Sequence, residues 1–275
     1  MRWIKISLIV LTTTVILLGL WAFWWEPASL RVHEETIIVP WPRPSLRAAI
    51  LTDIHIGSPH NDLAKLKQIV AQTNAAQPDL VCILGDLVIR GVVGGTFVPP
   101  EPIAQELTNL RAPLGVVAVL GNHDYWVDEA QVTRALQNNG IIVLSDSAMT
   151  VNTSSGPIWI VGVSDFWTGK HDVISAMQFV SDDNPVIAIT HNPDIFPQIP
   201  ERVNVTLAGH THGGQVRFPL IGAPIVPSWY GQRFVAGHIV EGGRHLYVAT
   251  GTGTSIFPVR FRVPPKIEIV TLRGR

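Results

Sequence analysis

The apolar runs of this chain that read as central β-strands share one property: each ends in a short polar motif. Residues 46–51 lead into Thr52-Asp53-Ile54-His55, residues 80–84 into Gly85-Asp86, and residues 115–120 into Gly121-Asn122-His123-Asp124. Farther on, residues 186–190 run into His191, and residues 203–208 into Gly209-His210-Thr211-His212-Gly213-Gly214-Gln215. In layered α/β folds, sites form outside the carboxyl ends of the strands. The recurrence therefore predicts a core whose strand ends bring these side chains to one place. The glycines around His210 and His212 let the backbone turn sharply without a Cβ clash.

The segments between these strands alternate in period. Residues 62–76 read as a helix with Leu63, Leu66, Ile69 and Val70 on one face, and helices are also expected over 102–110 and 127–138, the latter stopped by Gly140. After that, strands dominate: 141–144, 149–152, 158–163, a hairpin of 234–240 with 244–249 around Glu241-Gly242-Gly243, and a closing strand at 266–272. One further helix is expected over 172–180. Strand–helix alternation followed by strands predicts an α/β protein, a four-layer α/β/β/α sandwich of two mixed β-sheets flanked by helices.

Ahead of this domain, the 20 residues from Ile6 to Trp25 contain no Asp, Glu, Lys or Arg. That matches the ~20 residues that span a bilayer as a helix. Trp21, Phe23, Trp24 and Trp25 crowd its far end like an interfacial aromatic belt. The run is longer than the ~7–15 apolar residues of a cleaved signal peptide, and no Ala-x-Ala site follows. The expected organisation is a single-pass membrane anchor at 1–25, a Pro-rich linker at 26–45 with one extended piece at 36–39, and a catalytic domain at 46–275. Arg2 and Lys5 before the span predict an extracytoplasmic domain, although Arg31, Arg43 and Arg47 on the other flank weaken the asymmetry.

Composition removes some classes of partner. Lys and Arg number 20 against 21 Asp and Glu, a formal net charge of −1, so no basic excess exists to neutralise a nucleic-acid backbone. The one cysteine, Cys82, excludes an internal disulfide and a thiolate zinc cluster. It stands in an apolar run and reads as a small buried residue. Nothing in the sequence sets an oligomeric state.

Collected, the strand ends offer Asp53, His55, Asp86, Asn122, His123, Asp124, His191, His210 and His212. This is too many ligands for one ion. Seven of them would fill two sites sharing a carboxylate, and mixed nitrogen and oxygen ligation suits two divalent ions such as Mn, Fe or Zn. Asp-x-His, Gly-Asp, Gly-Asn-His-Asp, a later lone His and Gly-His-x-His, in this order, resemble the calcineurin-like metallophosphoesterase superfamily. The stretch Gly251-Thr252-Gly253-Thr254, Pro258-Val259-Arg260-Phe261 and Pro264-Pro265 resembles a bacterial, membrane-anchored phosphodiesterase branch that includes proteins likened to UDP-2,3-diacylglucosamine pyrophosphatases of lipid A synthesis.

The resemblance implies that Asp53, His55 and His212 hold one ion, Asn122, His191 and His210 the other, and Asp86 both. A hydroxide between the ions would attack phosphorus. His123 would be the histidine that contacts the phosphoryl group and protonates the leaving oxygen, with Asp124 fixing its tautomer. Arg260 is the candidate for gripping a substrate phosphate, against the commoner reading of such arginines as solvated or paired. One departure from the branch is Ile89, followed by Arg90, where an acidic residue is frequent. His33, His60, His171, His238 and His245 fall outside the motifs and read as surface or core histidines. The apolar stretches 91–102 and 218–229 either pack as ordinary loops or face lipid. The anchor favours a lipid-linked or membrane-proximal phosphodiester or pyrophosphate substrate. The alternatives are a phosphomonoesterase or protein phosphatase, and a non-catalytic membrane scaffold on the same fold.

Overall fold

In the computed structural model, which describes residues 2–274, two six-stranded mixed sheets pack face to face with helices on their outer sides. In the first sheet, β1 (Arg31–Ile38), β2 (Leu46–Leu51), β3 (Leu80–Leu84), β4 (Val116–Val119), β5 (Ile142–Val143) and β12 (Lys266–Arg273) run in the order β1-β12-β2-β3-β4-β5. The second holds β6 (Ser147–Thr153), β7 (Gly156–Val163), β8 (Val186–Thr190), β9 (Val205–Ala208), β10 (Gly237–Glu241) and β11 (Arg244–Val248), in the order β10-β11-β9-β8-β7-β6. β2, β3, β4 and β5 are mutually parallel, as are β7, β8, β9 and β11.

Strand alternation builds the layers. Ile50, Cys82, Leu84, Val117 and Val119 face Ile158, Ile160, Ile187, Ile189 and Leu207 across the inter-sheet core. The intervening Ala49, Leu51, Val81, Ile83 and Ala118 face the other way, onto α2 (Leu63–Ala75), α3 (Pro100–Leu107) and α4 (Asn122–Asn138). The second sheet carries α5 (Val173–Met177) and the 3-10 turn Pro193–Gln198 on its outer side. This is the α/β/β/α sandwich expected from the alternation.

Three local expectations change. The Pro-rich stretch expected as a linker contributes β1, an edge strand that pairs in parallel with β12 from Arg31↔Lys266 to Ile38↔Arg273. Trp41, beyond it, is buried and donates its indole N–H to the Pro44 carbonyl. The helix expected from residue 127 begins at Asn122, because Asp124 accepts the N–H of Gly121 and satisfies the first turn. It breaks at Asp128, whose φ is −179°. The hairpin strand expected from 234 begins at Gly237, since Gly231–Phe234 is a 3-10 turn.

The apolar N-terminal helix α1 (Arg2–Ala28) has mean hydropathy 2.3 over its most apolar window, none of which is buried. Its far end is fastened to the domain. Glu26 is buried and accepts the backbone N–H of Val263 at 2.6 Å and the Trp21 indole N–H at 2.5 Å. The N–H of Arg260 donates to the Ala22 carbonyl, and Lys65 donates to the carbonyls of Ala28 and Ser29.

Candidate metal centre

Each central strand delivers its polar motif to one floor between the sheets. β2 ends at Asp53 and His55, β3 at Asp86, and β4 at Asn122 on the first turn of α4, while β8 ends at His191 and β9 at His210 and His212. All seven side chains are buried. Five of them (Asp53, His55, Asp86, His210 and His212) sit at positive φ between 48° and 70°. Asp and His tolerate this region better than most residues, yet such strain persists only where the surroundings over-determine it. Here it turns each chain end inward. Gly209 makes room for this: a Cβ there would stand 2.0 Å from Thr52 Oγ1 and 2.8 Å from Asp53 Oδ2.

The side chains fall into two groups that meet at Asp86. In one, His212 Nε2 lies 3.1 Å from His55 Nε2 and 3.3 Å from Asp53 Oδ1. In the other, His191 Nε2 lies 3.1 Å from Asn122 Oδ1, 3.1 Å from His210 Nδ1 and 3.3 Å from Asp86 Oδ2. Asp86 Oδ2 is also 3.5 Å from His55 Nε2. The His191 Nδ1–H donates to the Leu84 carbonyl at 2.6 Å, which leaves Nε2 directed at the site. Asp53 reaches back with Oδ2 to accept the backbone N–H of His210.

The electrostatics are those of a cation site. Burial lowers His55 to about 3 and, with the neighbouring imidazoles, holds His210 and His212 well below the ordinary histidine range. Burial alone would raise Asp86, but His191 and His55 hold it well below the usual carboxylate range. Burial raises Asp53 to about 6. His55 Nε2 and His212 Nε2 lie 3.1 Å apart and Asp53 Oδ1 is buried without a hydrogen-bond partner, so nitrogen and oxygen lone pairs converge on one space. That arrangement fits divalent ions. The donors are nitrogen and oxygen with no thiolate, so the two clusters suit a binuclear centre of borderline metals.

A model of the calcineurin-like phosphoesterase family matches residues 46–214, the span from β2 to the Gly-His-x-His turn. The chain belongs to this family. This phosphoesterase is 29% identical over 255 residues to the metallophosphoesterase YkuE of Bacillus subtilis, covering 90% of this chain and 87% of YkuE. It is 30% identical over 227 residues to the phosphodiesterase YaeI of Escherichia coli, covering 81% and 80%. It is also 29% identical over 285 residues to a transmembrane protein with metallophosphoesterase domain of Bos taurus, covering 97% of this chain and 61% of that protein. It is a metal-dependent phosphoesterase.

Over the floor of the phosphoesterase opens a cavity of about 260 Å³, lined by Asp86, Asn122, His123, His210 and His212 below and by Trp126, Trp167, Ile225 and Ile256 around. His123 is half-buried on this wall. Its backbone N–H donates to Asp86 Oδ1 at 2.8 Å, and its ring packs edge-on to His55 and Trp126. Two expectations are corrected. Asp124 does not orient His123: its carboxylate accepts four backbone N–H groups, from Asp86, Leu87, Val88 and Gly121. It holds the turn that carries Asp86. Arg260 does not reach substrate. It is fully buried, and its guanidinium donates to the carbonyls of Thr250, Gly251, Gly253 and Val263, with Nη2 3.5 Å from His212 Nδ1.

Trp167 was not among the sequence candidates, yet its ring meets His210 edge-on at 4.3 Å. Asp165, buried behind it, accepts the N–H groups of Trp167 and Thr168 and fixes that loop. Both follow β7 directly, so the rule that picked out the other strand ends would have found them.

Proposed function

We propose that this chain is a membrane-anchored phosphodiesterase or pyrophosphatase acting on a lipid-linked or membrane-proximal substrate. The observation that carries the reading is the Asp86 carboxylate standing between two nitrogen and oxygen clusters at the floor of an apolar-walled cavity. Asp53, His55 and His212 would hold one ion and Asn122, His191 and His210 the other, with Asp86 available to both. Bound there, divalent ions supply an activated water and neutralise charge on the phosphoryl oxygens. His123 meets the phosphoryl group at the wall and passes a proton to the departing oxygen. Trp126, Trp167, Ile225 and Ile256 shield the site from water and receive the second esterified group.

Preference for a diester is supported by that apolar wall and by the similarity to the phosphodiesterase YaeI. Anchoring is supported by the unburied apolar face of α1 and by the transmembrane relatives from Bos taurus and Danio rerio. Retention of α1 is favoured over cleavage because Glu26, Ala22 and Trp21 are hydrogen-bonded into the domain. Arg2 and Lys5 favour an extracytoplasmic catalytic domain, and an active cytoplasmic reporter fused at the C-terminus would reverse that orientation.

The decisive assay sets bis(nitrophenyl) phosphate against nitrophenyl phosphate with full-length, Mn-loaded protein. Faster diester hydrolysis is expected, with UDP-2,3-diacylglucosamine and other acylated pyrophosphates as the next substrates to compare. Monoester preference would move the protein to the phosphatases. Failure to hydrolyse either while both ions are bound would leave the scaffold reading.

A further inference from the structure

Beside the cavity mouth, two loops display exposed apolar side chains. The hairpin Phe218-Pro219-Leu220-Ile221-Gly222 is closed by reciprocal backbone bonds between Phe218 and Gly222. Its tip residue Leu220 is 108% exposed, at φ +69°. In the second loop Ile256 is 65% exposed at φ +65°, next to the exposed Phe257. Water-facing turns place Gly, Asn or Asp at positive φ, and for a β-branched residue that region is an outlier. Both tips therefore combine backbone strain with hydrophobic exposure.

Their position relative to α1 identifies the missing neighbour. The two loops are tied together: Gln215 donates to the Ser255 carbonyl and accepts the Ser255 N–H. Arg217 donates its backbone N–H to the Phe261 carbonyl, and the Phe218 and Phe261 rings lie 5.9 Å apart. The same loop is bonded to the helix through Arg260 N–H to the Ala22 carbonyl. Phe261, Arg262 and Pro264 then form a groove with Thr14, Leu17, Leu18 and Trp21. Thr14 precedes Ala22 by a little over two turns, ~12 Å along a helix axis. A bilayer that contains Thr14 and Leu17 would lie against Phe261, Arg262 and Pro264 across that groove. Arg31 and Arg262 are exposed on that groove, where anionic headgroups would lie.

We propose that the Phe218–Gly222 hairpin and the Ile256–Phe257 tip form a second membrane contact that seats the cavity mouth at the lipid surface. The proposal rests on the reading of α1 as a membrane anchor and narrows the substrate class. Ile225 and Ile256 belong both to the exposed apolar rim and to the cavity wall above Asp86 and His123. Ile225 and Ile256 thus give the cavity an apolar edge on the side of that rim. Such an edge suits a phosphoester whose phosphorus lies at headgroup depth while its acyl chains stay in the bilayer. Amphipathic surfaces of this kind settle ~5–10 Å into the headgroup and acyl boundary.

The test uses the full chain in phosphatidylcholine and phosphatidylglycerol nanodiscs, with an environment-sensitive fluorophore on single introduced cysteines. Cys82 is buried and its thiol is pushed up to about 12, so it stays unlabelled. Probes at Leu220→Cys and Phe257→Cys are expected to be quenched by acyl-brominated lipids. A probe at Ser154→Cys, at the turn before β7 and so at the opposite end of the sheet, is expected to stay bright. A Leu11→Cys probe reports α1 itself. Bright 220 and 257 probes with a quenched 11 probe would overturn the second contact and leave the anchor standing. Four bright probes would overturn the anchor and the proposal with it. A Leu220→Glu/Ile221→Glu double variant should hydrolyse a soluble aryl diester at the parent rate. On an acylated fluorogenic diester in phosphatidylcholine vesicles it should lose roughly ten-fold. Equal losses on both substrates, or none on the vesicle substrate, would sink the idea.

Discussion

Asp86 and Asp124 are both buried aspartates within the polar motifs at the strand ends, and their oxygens are engaged differently. Asp124 is saturated by four backbone N–H groups, whereas Asp86 Oδ2 faces two imidazole nitrogens. Asp86→Ala is therefore expected to empty both metal positions by elemental analysis, with activity lost. His210→Ala and His212→Ala should each deplete mainly one ion. Equal loss of both ions from both variants would contradict the two-cluster geometry. His123→Ala should keep its metals and lose about 10²–10⁴-fold in kcat, the range of general acid–base assistance. Arg260→Ala leaves four carbonyls without their donor, so it should melt markedly lower, by about 2–4 kcal/mol in chemical unfolding. A raised KM at unchanged stability would instead restore a substrate role. In the metal-free protein, burial lowers His191, but Asp86 more than offsets this and holds it up to about 10. A metal must displace that proton, so uptake at neutral pH should release protons and apparent affinity should rise with pH. Calorimetry in buffers of different ionisation enthalpy reads this directly.

Among elements, the strand ends were the most legible part of the chain. Apolar runs and their terminal motifs are local signals, and β2, β3, β8 and β9 appear within a residue or two of their expected bounds. The errors arose where a distant partner decides. β1 is half exposed and Pro-flanked, and only its pairing with β12, over two hundred residues away, makes it a strand. Arg260 looked like a phosphate grip because its type suits one, and its burial among carbonyls of its own loop leaves no trace in spacing. Asp124 was adjacent to His123 in sequence, but on a helix neighbours do not face each other. Gly209→Ala tests the strand-end design at the same scale. Its Cβ would collide with Thr52 and displace Asp53. The expected result is loss of the ion bound by Asp53, His55 and His212, with a stability cost of about 1–3 kcal/mol. A fully metallated, active variant would show that the close approach is dispensable.

Across the whole molecule, each cluster takes its members from both sheets. Asp53 and His55 follow a strand of the first sheet and His212 one of the second. Asp86 and Asn122 likewise meet His191 and His210 from the opposite layer. Chelation should therefore lower the melting temperature of the entire domain and not only abolish turnover. At a hundred-fold excess over its dissociation constant, one ion that binds only the folded state adds ~2.7 kcal/mol. A melting curve unmoved by chelation would argue against that coupling. Elsewhere the two layers adhere through apolar contact, which resists separation but has little directionality. At the floor of the site, bound ions would act as rivets through both plates, fixing their register against sliding. A phosphoester pulled toward that floor would then be worked on by an anvil that cannot shift, and removing the rivets would loosen the anvil before it unfolded the plates.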